Sequence, residues 1–300
     1  MALARSIELS VGELANVLGQ SQPRVSRHLR ILDEAGLIRR RREGAWVFIE
    51  LDESPMAGQL GAIFDGAAND EDQRRFDEDS QRLSAVRAER AANAARWFEE
   101  QAEDWDRLRS LHIEEGAVEE AIARLLARGR LGQLVDIGTG TGRMVELFAP
   151  LAEEVVGIDR SPEMLRLARV KLDDAGLANV SLRQGDMTAL PLADGVADSV
   201  ILHLVLHYAE TPAQAIGEAA RILAPGGQLV IADFAPHEHE ELRKEFRHRR
   251  LGFSDEAMAG WFEHAGLEGD EPIKLEGGEL TVSLWRASCP RQSRSEEEAA

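Results

Sequence analysis

Apolar positions along the chain follow two periods. Val25, Leu29 and Leu32 recur at helical spacing within 20–32, and residues 11–19 read as a shorter helix before them. Ser10 is a candidate N-cap, Glu13 completes a capping box, Gly19 closes the first helix, Pro23 suits the first turn of the second, and Gly36 stops it. The period then drops: Leu37–Arg41 and Trp46–Leu51 flank Arg42-Glu43-Gly44-Ala45 as a hairpin. From Asp70 to about Leu108 there is no proline or glycine, and Phe76, Leu83 and Val86 sit at helical spacing, which predicts one long helix or two in line. Another helix is predicted over 116–128. Beyond it, apolar runs at 134–137, 155–158, 180–184, 198–202 and 228–233 alternate with helical spacing at 143–151, 162–175 and 212–223. Strand and helix in turn predict a doubly wound parallel sheet. A capped helix over 254–265 and a closing hairpin around Gly277-Gly278 finish it, and 291–300 is polar and predicted disordered.

The chemistry concentrates at the ends of these strands. The first apolar run passes through Asp136 into Gly138, Gly140 and Gly142, a turn in which a ligand can approach bare backbone and which opens a helix. The dinucleotide fingerprint wants Gly-x-Gly-x-x-Gly; here Arg143 holds the last position and the third glycine comes one residue early. The second strand ends in Asp159, where an acid can accept ribose hydroxyls, followed by Arg160. The third runs into Gly185-Asp186-Met187, a carboxylate and a polarizable side chain where an adenine could sit. Asp-x-Gly-x-Gly-x-Gly, Gly-Ile-Asp, Gly-Asp-Met and Pro225-Gly226-Gly227 in that order resemble the class I S-adenosylmethionine-dependent methyltransferases over about 132–267. The resemblance implies S-adenosylmethionine or S-adenosylhomocysteine as ligand. Asp136 and Gly138 would lie near its methionine part, with Gly140, Gly142 and Arg160 alongside. Asp159 would hold the ribose, Asp186 and Met187 would frame the adenine, and His203 would border the site.

The N-terminal pattern, two helices joined by a glycine turn and then a basic hairpin, describes a winged helix-turn-helix. Gln22, Arg24, Ser26, Arg27 and Arg30 project off the apolar stripe of the second helix, where such side chains can reach base edges and phosphates. Arg39, Arg40, Arg41 and Arg42 form a wing suited to phosphates. The stretch SQPRVSRHLRILDEAGLIRRRREGAWVFIEL resembles the ArsR-type winged-helix repressors, which implies a double-stranded DNA operator as partner. Metal-sensing members carry cysteines in the first helix; Glu8 to Leu14 here offers serine and glycine instead, which rules out thiolate sensing there. The family has a further helix or two upstream, so the expectation is a truncated start or another segment taking over. The helix from Asp70 is either a homodimer contact or a solvated connector, and Trp97, Phe98 and Trp105 are either a cofactor lid or core.

The expected fold is therefore α/β. An N-terminally short winged helix-turn-helix covers 1–54 and a helical linker, lid or dimerisation region covers 55–130. A doubly wound, Rossmann-like class I methyltransferase sheet with a terminal antiparallel hairpin covers 131–290, and a disordered tail covers 291–300.

Composition narrows the partners. Net charge is −19, but residues 1–51 carry eight arginines against six acids, so any nucleic-acid surface belongs at the N-terminus. Cys289 is the only cysteine, which excludes an internal disulfide and a cysteine metal site. No apolar stretch reaches the length of a membrane span and no charged-then-apolar leader follows Met1, so the expectation is a cytoplasmic protein with no membrane partner. No metal is expected, and a site built from Asp233, His237 and His239 is a remote alternative. His203 and His207, read as one helical turn apart, are candidate bases, or they line a pocket. The cysteine-rich pattern of arsenic methyltransferases and the Asn-Pro-Pro-Tyr type motif of nucleic-acid amino-methylating enzymes are both absent. Two readings follow. One is a regulator that senses an S-adenosyl ligand, like ArsR-type proteins with a fused methyltransferase domain that control methionine-cycle genes. The other is a working small-molecule methyltransferase with an autoregulatory DNA-binding domain.

Overall fold

A computed structural model of the chain describes residues 9–43, 46–52, 74–86, 88–90, 92, 115–246, 248–276 and 279–291. Trp97, Phe98, Trp105 and the polar tail from 292 onward lie outside the described residues. The described residues fall into two compact units.

The first unit begins with β1 (Leu9–Ser10), α1 (Val11–Val17), α2 (Gln22–Glu34), β2 (Ile38–Glu43) and β3 (Trp46–Leu51). The capping box forms as the sequence predicts: the Ser10 hydroxyl accepts the Glu13 N–H at 3.3 Å, and Glu13 Oε2 accepts the Ser10 N–H at 2.9 Å. Gly36, at φ +65°, takes the left-handed turn after α2. Two features depart from the pattern reading. Leu9 and Ser10 are a strand, paired antiparallel to β3, so the sheet has three strands in the order β1-β3-β2. The helical residues 74–86, here α3, add Leu83 and Val86 to the core made by Leu9, Val11, Leu14, Val17, Val25, Leu29, Ile38 and Ile49. Burying two such side chains is worth roughly 1.5–3 kcal/mol each. Arg90 then forks onto Glu13, with Nε to Oε1 at 2.8 Å and the terminal nitrogen to Oε2 at 2.9 Å. Leu83 and Val86 of α3 are thus buried within the chain, while Phe76 stays exposed.

The second unit is one sheet in the order β10-β11-β8-β7-β4-β5-β6, with β9 beside β11. Its strands are β4 (Gln133–Ile137), β5 (Glu154–Asp159), β6 (Val180–Gln184), β7 (Ala197–His203), β8 (Leu223–Phe234), β9 (Glu268–Gly269), β10 (Ile273–Leu275) and β11 (Val282–Ser288). β4 to β8 run parallel, and β11 is antiparallel to both β8 and β10. Val135, Ile137, Val156, Ile158, Val200, Leu202, Leu229 and Ile231 are buried in one cluster on one face, and Leu134, Val155, Ile201 and Val230 between them are buried on the other, the continuous apolar runs that a sheet covered on both faces requires. The covering helices are α4 (Glu115–Leu126), α5 (Arg143–Phe148), α6 (Pro162–Asp174), whose residues from Arg169 onward count with the first unit, α7 (Pro212–Ile222), the short α8 (Glu241–Glu245) and α9 (Asp255–His264). Strand order reverses between β4 and β7, so the loops leaving these neighbours diverge and open a crevice at their C-terminal ends.

Candidate functional site

The glycine turn after β4 is fixed by backbone. Gly138 and Thr139 donate their N–H groups to the Ile158 carbonyl at 2.7 and 2.9 Å. Gly138, Gly140 and Gly142 all take positive φ, at +75°, +53° and +80°, which L side chains rarely adopt. Nothing lies within 4 Å of where a Cβ on Gly140 would sit, so that face of the loop is open. The acid at the end of β5 closes the arrangement: Asp159 Oδ2 accepts the Gly140 N–H at 2.9 Å and Oδ1 accepts the Ser161 N–H at 2.8 Å. Burial holds Asp159 above the ordinary carboxylate range, against those donors and the nearby Arg160. Arg160 itself is exposed, and its carbonyl accepts Gln184 Nε2 at 3.1 Å.

Asp136, on β4 just before the turn, is 1 % exposed, and neither carboxylate oxygen has a hydrogen-bond partner. Burial pushes it up to about 7; the Thr139 hydroxyl beside it opposes the rise and the charge of Asp159 adds to it. An enclosed acid without a donor is costly alone and fits a cationic group of a ligand. After β6, Asp186 Oδ1 accepts the Thr188 hydroxyl at 2.7 Å and its N–H at 2.9 Å, which hold it below the ordinary range. Met187 packs half-buried on the core.

The histidines behave differently from the pattern reading. His203 is the last residue of β7, and His207 lies in the tight turn 206–208, with Leu204 between them at φ +49°. They are not neighbours on one helix, because the strand runs up to His203 and the chain then turns through a left-handed residue. Burial pushes His203 down to about 4, against the raising charges of Asp233 and Glu119, which makes it a poor base at neutral pH. His207 is buried, and its Nδ1 meets Asp233 Oδ1 at 2.8 Å. His239 pairs instead with Glu241 at 2.8 Å, and among the described residues no group of acids, histidines and cysteine could hold a metal ion.

An ion pair beside the glycine turn also escaped the sequence reading. Arg143, at the place of the fingerprint's last glycine, forks onto Glu119 of α4 at 2.6 and 2.8 Å. A cation in the first turn of a helix sits against the dipole, and that local signal alone asks for an acidic partner.

In the first unit, Arg27 and Arg30 are exposed on the side of α2 away from the buried Val25 and Leu29, Arg24 is exposed on its flank, and the exposed Gln22 and half-buried Ser26 share the side of Leu29. Strand alternation puts Arg39 and Arg41 on one face of β2 and Arg40 and Arg42 on the other. Arg39 bonds Asp52 at 2.7 Å, Arg40 bonds Asp33 at 2.9 Å, and the Arg41 guanidinium lies 5.5 Å from the Phe48 ring centre. Arg42 is exposed.

Comparison with known proteins agrees with both halves. The family model described as a methyltransferase domain matches residues 135–231, and that of the bacterial regulatory protein arsR family matches 1–40. A demethylmenaquinone methyltransferase of Thermus thermophilus is 39 % identical over 106 residues, 35 % of this chain and 48 % of that protein. An arsenite methyltransferase of Aquipseudomonas alcaligenes is 30 % identical over 185 residues, 52 % of this chain and 51 % of that protein. The chain spans about half the length of these curated relatives. Among solved structures, the [4+2]-cyclase SpnF superposes with a TM-score of 0.52 at 19 % identity, covering 58 % of this chain and 80 % of that one, a likeness of fold. The chain carries an arsR-family helix-turn-helix domain followed by a methyltransferase domain.

Proposed function

We propose that the chain is a DNA-binding transcriptional regulator whose methyltransferase-type domain binds S-adenosylmethionine or S-adenosylhomocysteine as a signal, with methionine-cycle genes as its targets. The observation that carries the ligand is Asp136, an enclosed carboxylate with no hydrogen bond at the mouth of the glycine turn. The methionine end of an S-adenosyl ligand brings an ammonium group to meet it. Gly138, Gly140 and Gly142 leave the backbone bare beside that group, Asp159 takes the ribose, and Asp186 and Met187 border the adenine. Arg160 and His203 flank the site, His203 as a neutral ring that does not repel a sulfonium. Gln22, Arg24, Ser26, Arg27 and Arg30 read the operator from α2, and Arg39, Arg40, Arg41 and Arg42 meet phosphate from the wing. The protein acts in the cytoplasm as a homodimer on its operator; a monomeric mass on the DNA would remove the dimer.

A sensor needs different affinity of its DNA-binding states for the ligand, and no turnover. The low proton affinity of His203 and the enclosure of His207 support that preference. The test is operator binding to the gene's own upstream DNA at stated salt, with and without each S-adenosyl ligand. A tenfold shift corresponds to about 1.4 kcal/mol of coupling and supports the sensor. Unchanged operator affinity in a chain that does bind S-adenosylhomocysteine removes it.

The second reading, methyl transfer to a small molecule, is favoured by the relatives, which are named as methyltransferases of demethylmenaquinone and arsenite. Its test is transfer of labelled methyl from S-adenosylmethionine to a panel of quinol and thiol-bound arsenic acceptors.

A further inference from the structure

The turn after β7 is held from behind by a buried pair. Asp233, fully enclosed on β8, accepts His207 Nδ1–H at 2.8 Å, the His207 backbone N–H at 3.2 Å and the Phe234 N–H at 2.8 Å. Burial alone would raise this carboxyl; His207 and the backbone donors outweigh it and hold the group below the ordinary range. An ionised acceptor there fixes the Nδ1–H tautomer of His207. The ring is 2 % exposed, 4.0 Å from His248 and 4.2 Å from Tyr208 by centroids, and its carbonyl accepts the Arg249 and Arg250 N–H groups at 3.0 and 3.1 Å. His207 is therefore pinned on several sides, which suits holding a turn better than meeting an acceptor.

What the turn does is visible at its other end. Leu204, at φ +49°, is the one non-glycine at positive φ among the described residues, a conformation that persists only where surrounding contacts enforce it. Val205 follows and lies directly on Gly138: a Cβ added there would come 2.7 Å from Val205 Cβ and 2.9 Å from Cγ1. Val205 is thus the back wall of the glycine loop.

We propose that Asp233 and His207 are positioning residues of the ligand site, acting through the enforced turn at Leu204 and the seat of Val205 on Gly138. This rests on the reading that the glycine loop binds an S-adenosyl ligand. The experiment is calorimetric titration of the full chain with S-adenosylhomocysteine, alongside thermal unfolding, for the wild type, His207→Phe, His207→Asn and Val205→Ala. Phenylalanine removes the donor to Asp233. Asparagine offers an amide N–H at the place of Nδ1 and has no basic nitrogen. We expect His207→Phe to weaken binding about tenfold and Val205→Ala severalfold, with His207→Asn staying within about threefold of wild type. Wild-type affinity in His207→Phe or Val205→Ala, with only a lower unfolding midpoint, overturns the proposal, as does His207→Asn binding as weakly as His207→Phe. Should His207→Phe not fold, Val205→Ala and His207→Asn decide. A wild type that binds no S-adenosylhomocysteine instead overturns the ligand reading, and the proposal with it.

Discussion

Asp159 accepts the backbone N–H of Gly140 at 2.9 Å, so the acid that ends β5 holds in place the glycine turn that ends β4. The two strand ends are one hydrogen-bonded object. Asp159→Ala should therefore act twice, removing a hydroxyl acceptor and freeing the Gly140 and Ser161 N–H groups. We expect S-adenosylhomocysteine binding to weaken by ~1–3 kcal/mol. Titration calorimetry checks this, and unchanged affinity would sink the assignment.

Asp136 is expected to give ligand binding a pH dependence. Burial raises its folded-state pKa to about 7 from an ordinary carboxylate value. Between those two values the folded chain binds more protons than the unfolded one, so this group's contribution to stability falls as pH rises toward 7. An ammonium placed beside it favours the ionised form. Binding below about pH 7 should then release protons, and affinity should fall as pH drops through 7. Calorimetry in buffers of different ionisation enthalpy reads the released proton directly, and Asp136→Asn should abolish it.

Glu13 carries the opposite sign. Burial pushes it up, but Arg90 and the Ser10 donors outweigh that and leave its pKa lowered. Its contribution is present above the unfolded value and is lost as pH falls through the lower folded one. Glu13→Gln should cost the first unit about 1–3 kcal/mol at neutral pH and flatten the acid limb of its unfolding curve. Chemical denaturation at pH 7 and pH 4 tests both.

Arg27 is exposed on α2, away from the buried Val25 and Leu29. Arg27→Ala should weaken operator binding by ~1–3 kcal/mol if it pairs a guanine edge, and leave S-adenosylhomocysteine affinity unchanged. A mobility shift with wild-type operator affinity would remove it from the reading surface.

What could be read from the sequence was what lies close in it. Ser10 and Glu13 are three apart, and their capping box forms as expected. The order of strands and helices along the methyltransferase half was equally legible, because fully buried parallel strands carry unbroken apolar runs. His207 and Asp233 are twenty-six residues apart, and no local pattern pairs them. The same holds for Glu119 and Arg143, and for Leu83 and Val86 in the helix-turn-helix core. His203 and His207 misled for a related reason: a spacing of four suits a helix, but β7 runs on to His203 and Leu204 then turns the chain.

The packing of Leu83, Val86 and Arg90 decides how this molecule can be dissected. A fragment cut after Asp52 would contain both helices and the wing, yet it would leave bare the apolar face that Leu83 and Val86 cover, and the acid that Arg90 neutralises. Such a fragment is expected to aggregate or to bind operator weakly, for want of part of its hydrophobic core. The smallest piece that can report honestly on DNA binding therefore runs at least through the helical residues near 92.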